Sequence, residues 1–151
     1  MSWKAILVPH DFSPSANHAA ALARDVAKIH GASITLLHVI DIPHQLRGGE
    51  VIVPPETGAP IAIKDYAIAS ADAHLADLAQ RLTKDGVTTD AYVAVGHPVD
   101  EILRFAKTRG LDLIVMGTHG HSGIRHLIAG SVTERVVRGA TVPVLSVRHP
   151  D

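Results

Sequence analysis

Short apolar runs alternate with longer stretches of helical periodicity along this chain, and that alternation restricts its fold more than any other feature. Ala5-Ile6-Leu7-Val8 is the first run, closed by Pro9. Ser13 then serves as a helix cap with Pro14 at the first helical position. The helix runs on through Ala19, Leu22, Ala23 and Val26, which share one face, and Gly31 ends it. Residues 33–39 read as a second strand. A second helix spans about 61–84, with Ile68, Ala71, Leu75, Leu78 and Leu82 stepping along one face. Residues 87–95 alternate like a strand, and 98–109 form a third helix, acidic at its start and basic at its end as the helix dipole favours. Residues 111–116 are apolar in succession, the pattern of a strand covered on both faces. A last helix over 131–138 and a last strand from Val142 to Val147 complete the order. Strands alternating with helices in this way predict a mostly parallel sheet with helices on both sides.

A chain of 151 residues suits a single domain, 1–151, and can bury roughly 70% of its unfolded surface without staples. Cysteine is absent, which excludes disulfides and thiolate metal sites. The 14 basic and 15 acidic side chains nearly balance, against a general nucleic-acid binder or a polybasic membrane anchor. The opening MSWKAILVPHD lacks the shape of a signal peptide, and no apolar run approaches the ~18 residues of a spanning helix. The expected location is the cytoplasm. Residues 41–60, rich in Pro and Gly, are expected to form a loop of the length that is usually functional or mobile, with Val51-Ile52-Val53 as a short extended piece inside it.

The stretch GTHGHSGIRHLIAGS, from Gly117 to Ser131, carries the strongest chemical signal. In a doubly wound sheet, ligands sit beyond the carboxyl ends of the strands where the strand order reverses. The loops Pro9-His10-Asp11 and Gly117 onward are candidates to flank that point. Gly117 and Gly120 leave room for a ligand against the main chain. Gly130 and Ser131 open the last helix, whose free N–H groups and positive dipole end favour an anion. From Gly117 to Arg138 three arginines (Arg125, Arg135, Arg138) face one acid, Glu134. Phosphate is the obvious anion. The bland alternative stands beside it: Ser131 and Glu134 are spaced as a capping box that needs no ligand. No Walker loop and no G-x-G-x-x-G is present, and the stretch has no lysine to grip a transferred phosphoryl group. Binding is thus better supported than fast hydrolysis. The histidines His119, His121 and His126 could suggest zinc, but no acid or cysteine accompanies them before Glu134.

Gly117-x2-Gly120-x9-Gly130-Ser131 resembles the G-2x-G-9x-G-[S/T] signature of the ATP-binding branch of the universal stress protein family. The opening KAILVPHDFSPSANHAAALARDVA, the pair His38-Val39 and the closing ATVPVLSVR resemble that family too. The resemblance implies a single-domain doubly wound α/β fold with a five-stranded parallel sheet of order 3-2-1-4-5, of the adenine-nucleotide alpha hydrolase type. It implies ATP in the crevice, with Mg2+ bridging the phosphates. Asp11 would accept hydrogen bonds from ribose hydroxyls, although it could equally cap the loop before Ser13. Pro9 and Val39 would lie near the adenine, and Met116 and Gly117 would border the nucleotide. Gly120, Gly130, Ser131 and Val132 would offer N–H groups to the phosphates. His10, His119, His121 and Arg125 complete the candidate set, Arg125 being as well placed to be a solvated loop side chain. His121 is a departure, because arginine is common there and a neutral imidazole attracts phosphate less at high pH. No catalytic residue is assigned.

Pro143 cannot donate to a ladder, so the last strand is expected at a sheet edge. Pairing with the same strand of a second copy would cover it and make a homodimer through Val142 to Val147. The alternative is that the final helix and the tail cover that edge. The function expected is an ATP-binding regulatory or sensor protein of the stress response, whose nucleotide occupancy alters loop order and the binding of a protein partner. The alternative is a slow ATPase or nucleotidyl-transfer enzyme in which His119, His121 or Asp11 activates the attacking group.

Overall fold

The computed structural model describes residues 2–41, 50–118 and 131–148. The elements run β1 (Ala5–Pro9), α1 (Pro14–His30), β2 (Ser33–Ile40), β3 (Val51–Ile52), β4 (Ile61–Ala62), α2 (Ile63–Lys84), β5 (Thr89–Val95), α3 (Pro98–Thr108), β6 (Leu113–Gly117), α4 (Val132–Gly139) and β7 (Val144–Val147). Five strands form one parallel sheet of order β5-β2-β1-β6-β7. Counting only the five strands of this sheet, that is the expected 3-2-1-4-5. The order reverses between β1 and β6, which lie side by side with Ile6 opposite Leu113 and Leu7 opposite Ile114.

Alternating side chains on the central strands feed two cores. Ile6, Val8, Leu113 and Val115 pack beneath α1 and α2 with Ala19, Ala23, Ile34, Leu36, Leu75 and Leu82. Leu7, Leu37, Ile114 and Met116 pack on the opposite face with Ile102, Phe105 and Val136 of α3 and α4. This explains why β6 is apolar on every residue: a strand sandwiched between helix layers has no wet side. The face that α1 buries is made of small residues, Ser15, Ala16, Ala19, Ala20, Ala23 and Ala27. Leu22 and Val26, expected on that stripe, are only partly buried at its margin. Ser13 caps α1 by accepting the Ala16 N–H at 3.1 Å, and Gly31 ends it at φ 66°, a left-handed angle that only glycine takes without strain.

Element ends differ from the sequence reading by one to two residues, each with a local cause. The second helix begins at Ile63 because Ile61–Ala62 pair antiparallel with Val51–Ile52. Part of the long loop is thereby a two-stranded ribbon, with the extended piece expected at residues 51–53 as one strand. The last strand begins at Val144 instead of Val142, since Pro143 has no N–H and contributes only its carbonyl, to the Ile114 N–H at 3.0 Å. β7 does lie at the sheet edge, and Leu145 on it is 38% exposed. No helix among the described residues is long and apolar enough to cross a membrane.

Candidate functional site

Two chain segments meet beyond the carboxyl ends of β1 and β6. The first, residues 9–13, turns from the end of β1 into α1. The second couples the end of β6 to the start of α4. Thr133, in the first turn of α4, donates its hydroxyl to the Gly117 carbonyl at 2.6 Å. Gly117 and Ser131, fourteen positions apart in sequence, are brought to one place by that bond. Thr118 extends the end of β6 by donating its N–H to Val147 at 3.0 Å. Its own hydroxyl oxygen is buried and finds no hydrogen-bond partner among the described residues.

Gly117 is required by close approach. A β-carbon there would lie 2.8 Å from the backbone carbon of Ser15 and closer still to the Ser15 hydroxyl. The start of α1 thus rests directly on the end of β6. Ser131 has an extended backbone and accepts the Glu134 N–H at 3.1 Å, so the capping alternative raised by its spacing is realised. The Glu134 carboxylate in turn accepts from Arg138 at 2.8 Å. Capping takes up the Glu134 N–H and leaves the N–H groups of Val132 and Thr133 outside the intrahelical ladder, as at any helix start.

Residues 9–13 are tightly organised. Pro9 and His10 are buried, and the His10 N–H donates to Leu37 at 2.8 Å, continuing the β1–β2 ladder. Both His10 ring nitrogens are engaged. The Phe12 N–H reaches Nδ1 at 3.0 Å, and Nε2 lies 2.9 Å from the Asn17 Oδ1. A backbone N–H can only donate, so Nδ1 carries a bare lone pair and Nε2 carries the proton that goes to Asn17. Burial pushes the His10 pKa below its ordinary 6.5, against the opposing pull of the Asn17 bond and the Asp11 charge. Asp11, half-buried, accepts the Ser13 N–H at 3.0 Å, the local bond expected if it caps the loop. Phe12 stands at φ 65°, the one non-glycine residue with positive φ among those described. Its ring packs against His38 at 4.5 Å and His74 at 5.5 Å between centroids. His38 donates Nδ1–H to the His10 carbonyl at 2.7 Å.

Val39 and Met116 sit near the strand ends but belong to the core facing α3, Met116 buried and Val39 partly so. Val132 is exposed at the head of α4. The structure therefore brings Pro9, His10, Asp11, Val39, Met116, Gly117, Ser131 and Val132 to the carboxyl end of the sheet or to the elements that border it. His119, Gly120, His121, Arg125, His126 and Gly130 lie outside the described residues. Among the described residues no three His, Asp or Glu side chains are grouped to hold a metal ion. Phe12, Asn17, His38, Thr118 and Thr133 border this region too, and the sequence does not single them out. Thr118, inside the Gly117-x2-Gly120 spacing, and Thr133, two places after the G-[S/T] pair, lie within reach of the motif that could signal them.

The model of the universal stress protein family matches residues 2–148. The chain belongs to the universal stress protein family. Universal stress protein MJ0531 of Methanocaldococcus jannaschii is 31% identical over 148 residues, covering 98% of this chain and 84% of the relative. The solved structure of MJ0577, from the same organism, superimposes with a TM-score of 0.83 at 28% identity, covering 100% of this chain and 99% of that one. A universal stress protein from Archaeoglobus fulgidus, solved in complex with dAMP, shares the fold at a TM-score of 0.68 and 23% identity, covering 97% and 99%. The universal stress protein fold thus accounts for the sheet order.

Proposed function

We propose that this universal stress protein is an ATP-binding regulatory or sensor module of the cytoplasm, working as a homodimer. The observation that carries the reading is the Thr133–Gly117 bond, which sets the N-terminus of α4 beside the end of β6 at the strand reversal. The donor set fits an adenine nucleotide. Asp11 offers carboxylate oxygens to ribose hydroxyls. Pro9 and Val39 offer apolar surface and backbone groups to the base. Met116 and Gly117 border the crevice. The amides of Gly120, Gly130, Ser131 and Val132, with the Ser131 hydroxyl and the side chains of His119, His121 and Arg125, suit a polyphosphate carrying Mg2+. A relative of this fold solved with dAMP supports the adenine class.

Nucleotide occupancy would alter loop order and change the surface offered to a protein partner. Isothermal calorimetry with ATP and magnesium tests this directly. Saturable binding in the micromolar to millimolar range is expected, and absence of heat at millimolar ligand would sink the reading.

A further inference from the structure

The geometry around Phe12 points to a role for His10 beyond membership of the ligand loop. We infer that the neutral His10 imidazole is a positioning residue: its Nδ1 lone pair holds residues 11–13 in the shape that receives the nucleotide, so acid weakens binding. This rests on the nucleotide reading above.

Phe12 occupies a left-handed backbone conformation that disfavours a residue with a β-carbon. Something must hold it there, and the bond from its N–H to His10 Nδ1 does so directly. Asp11 lies between the two bonded residues, so that bond also sets where its carboxylate points. The His10 ring cannot swing away, because it is buried and its other nitrogen is bonded to Asn17 of α1. Its carbonyl is gripped by His38 of β2.

A protonated imidazole has a donor at both nitrogens and no acceptor. Protonation would turn the Phe12 contact into two opposed N–H groups. The loop would then have to leave the left-handed conformation or expel the ring. The groups that face His10 do not remove the effect. Burial opposes the charged form most strongly; the Asn17 bond and Asp11 favour it, and His38 from β2 and Arg81 from α2 oppose it. His74 of α2 meets the cluster across the Phe12 ring.

The test compares wild type with His10→Asn, whose Oδ1 can take the Phe12 N–H but cannot titrate. ATP affinity is measured by calorimetry from about pH 7.5 down to about pH 4.5, a range carried below ordinary histidine titration because burial lowers the His10 pKa. Titration of the ATP phosphates is common to both proteins and cancels in the comparison. The wild type should weaken about fivefold more than the variant on acidification, the fold-change that one hydrogen bond is worth. At the upper pH the variant should bind within about fivefold of wild type, the loss of the Asn17 bond setting that limit. Nitrogen NMR of the wild-type ring should show the Nε2–H tautomer, with the Phe12 amide shifting as the ring titrates. Equal pH slopes in the two proteins, or a Phe12 amide that ignores the His10 titration, would overturn the latch while ATP binding stood. A wild type that binds no ATP at the upper pH would overturn the nucleotide reading and the latch with it.

Discussion

Gly117 and His10 are the two residues where single-atom chemistry decides most. At Gly117 the helix α1 backbone already occupies the space a β-carbon needs. Gly117→Ala should destabilise the fold by about 1–3 kcal/mol, the usual cost of overpacking a tight contact. Denaturant titration of the variant would check this, and an unchanged midpoint would mean α1 gives way more easily than its position implies. His10 makes stability depend on pH with a definite sign. Its pKa in the fold lies below the ordinary 6.5, so the unfolded chain binds the proton more readily. The contribution is fully present above about 6.5. It is lost as the pH falls through the lower value in the fold. Melting temperatures should therefore drop between neutral and mildly acidic pH by more in wild type than in His10→Asn.

Among the elements, α4 combines two tasks. Ser131 caps it, and Thr133 ties it to β6. Ser131→Ala removes the cap and should cost about 1 kcal/mol of stability, as helix caps do. It also removes a hydroxyl that the proposed nucleotide reading gives to the phosphates. ATP affinity measured under conditions where the variant is fully folded should then fall as well. A loss of stability with unchanged affinity would leave Ser131 as a cap alone. The ribbon of β3 and β4 is a second lesson at this scale. Residues 61 and 62 carry the helical periodicity of α2 yet pair with Val51 and Ile52. Pairing across a loop overrides local helical pattern when it satisfies backbone groups that a helix start would leave bare.

For the whole molecule, the edge strand β7 is the feature that bears on assembly. The strand lies at the sheet edge with Leu145 exposed, and α4 presents Val132 and Val137 to solvent nearby in sequence. An edge of this kind templates pairing with another strand. Under the proposed homodimer, Leu145→Glu should place like charges across the two-fold axis and shift the protein toward monomer in analytical ultracentrifugation. A wild type that sediments as a monomer would refute the dimer outright.

The sequence by itself determined the layer architecture. Apolar runs four to eight residues long, helices with one apolar face and caps such as Ser13 and Ser131 are local properties, readable because each follows from the geometry of its own element. The G-2x-G-9x-G-[S/T] spacing likewise carried the resemblance to the universal stress protein family, which the family match over residues 2–148 bears out. Tertiary structure alone decided how those parts meet. That Gly117 is a glycine because Ser15 lies against it, that Thr133 reaches back to Gly117, and that His10 faces inward to hold Phe12 at positive φ all depend on contacts between separate elements. Periodicity records which face of an element is buried, and it carries no information on which atom of another element will be found there.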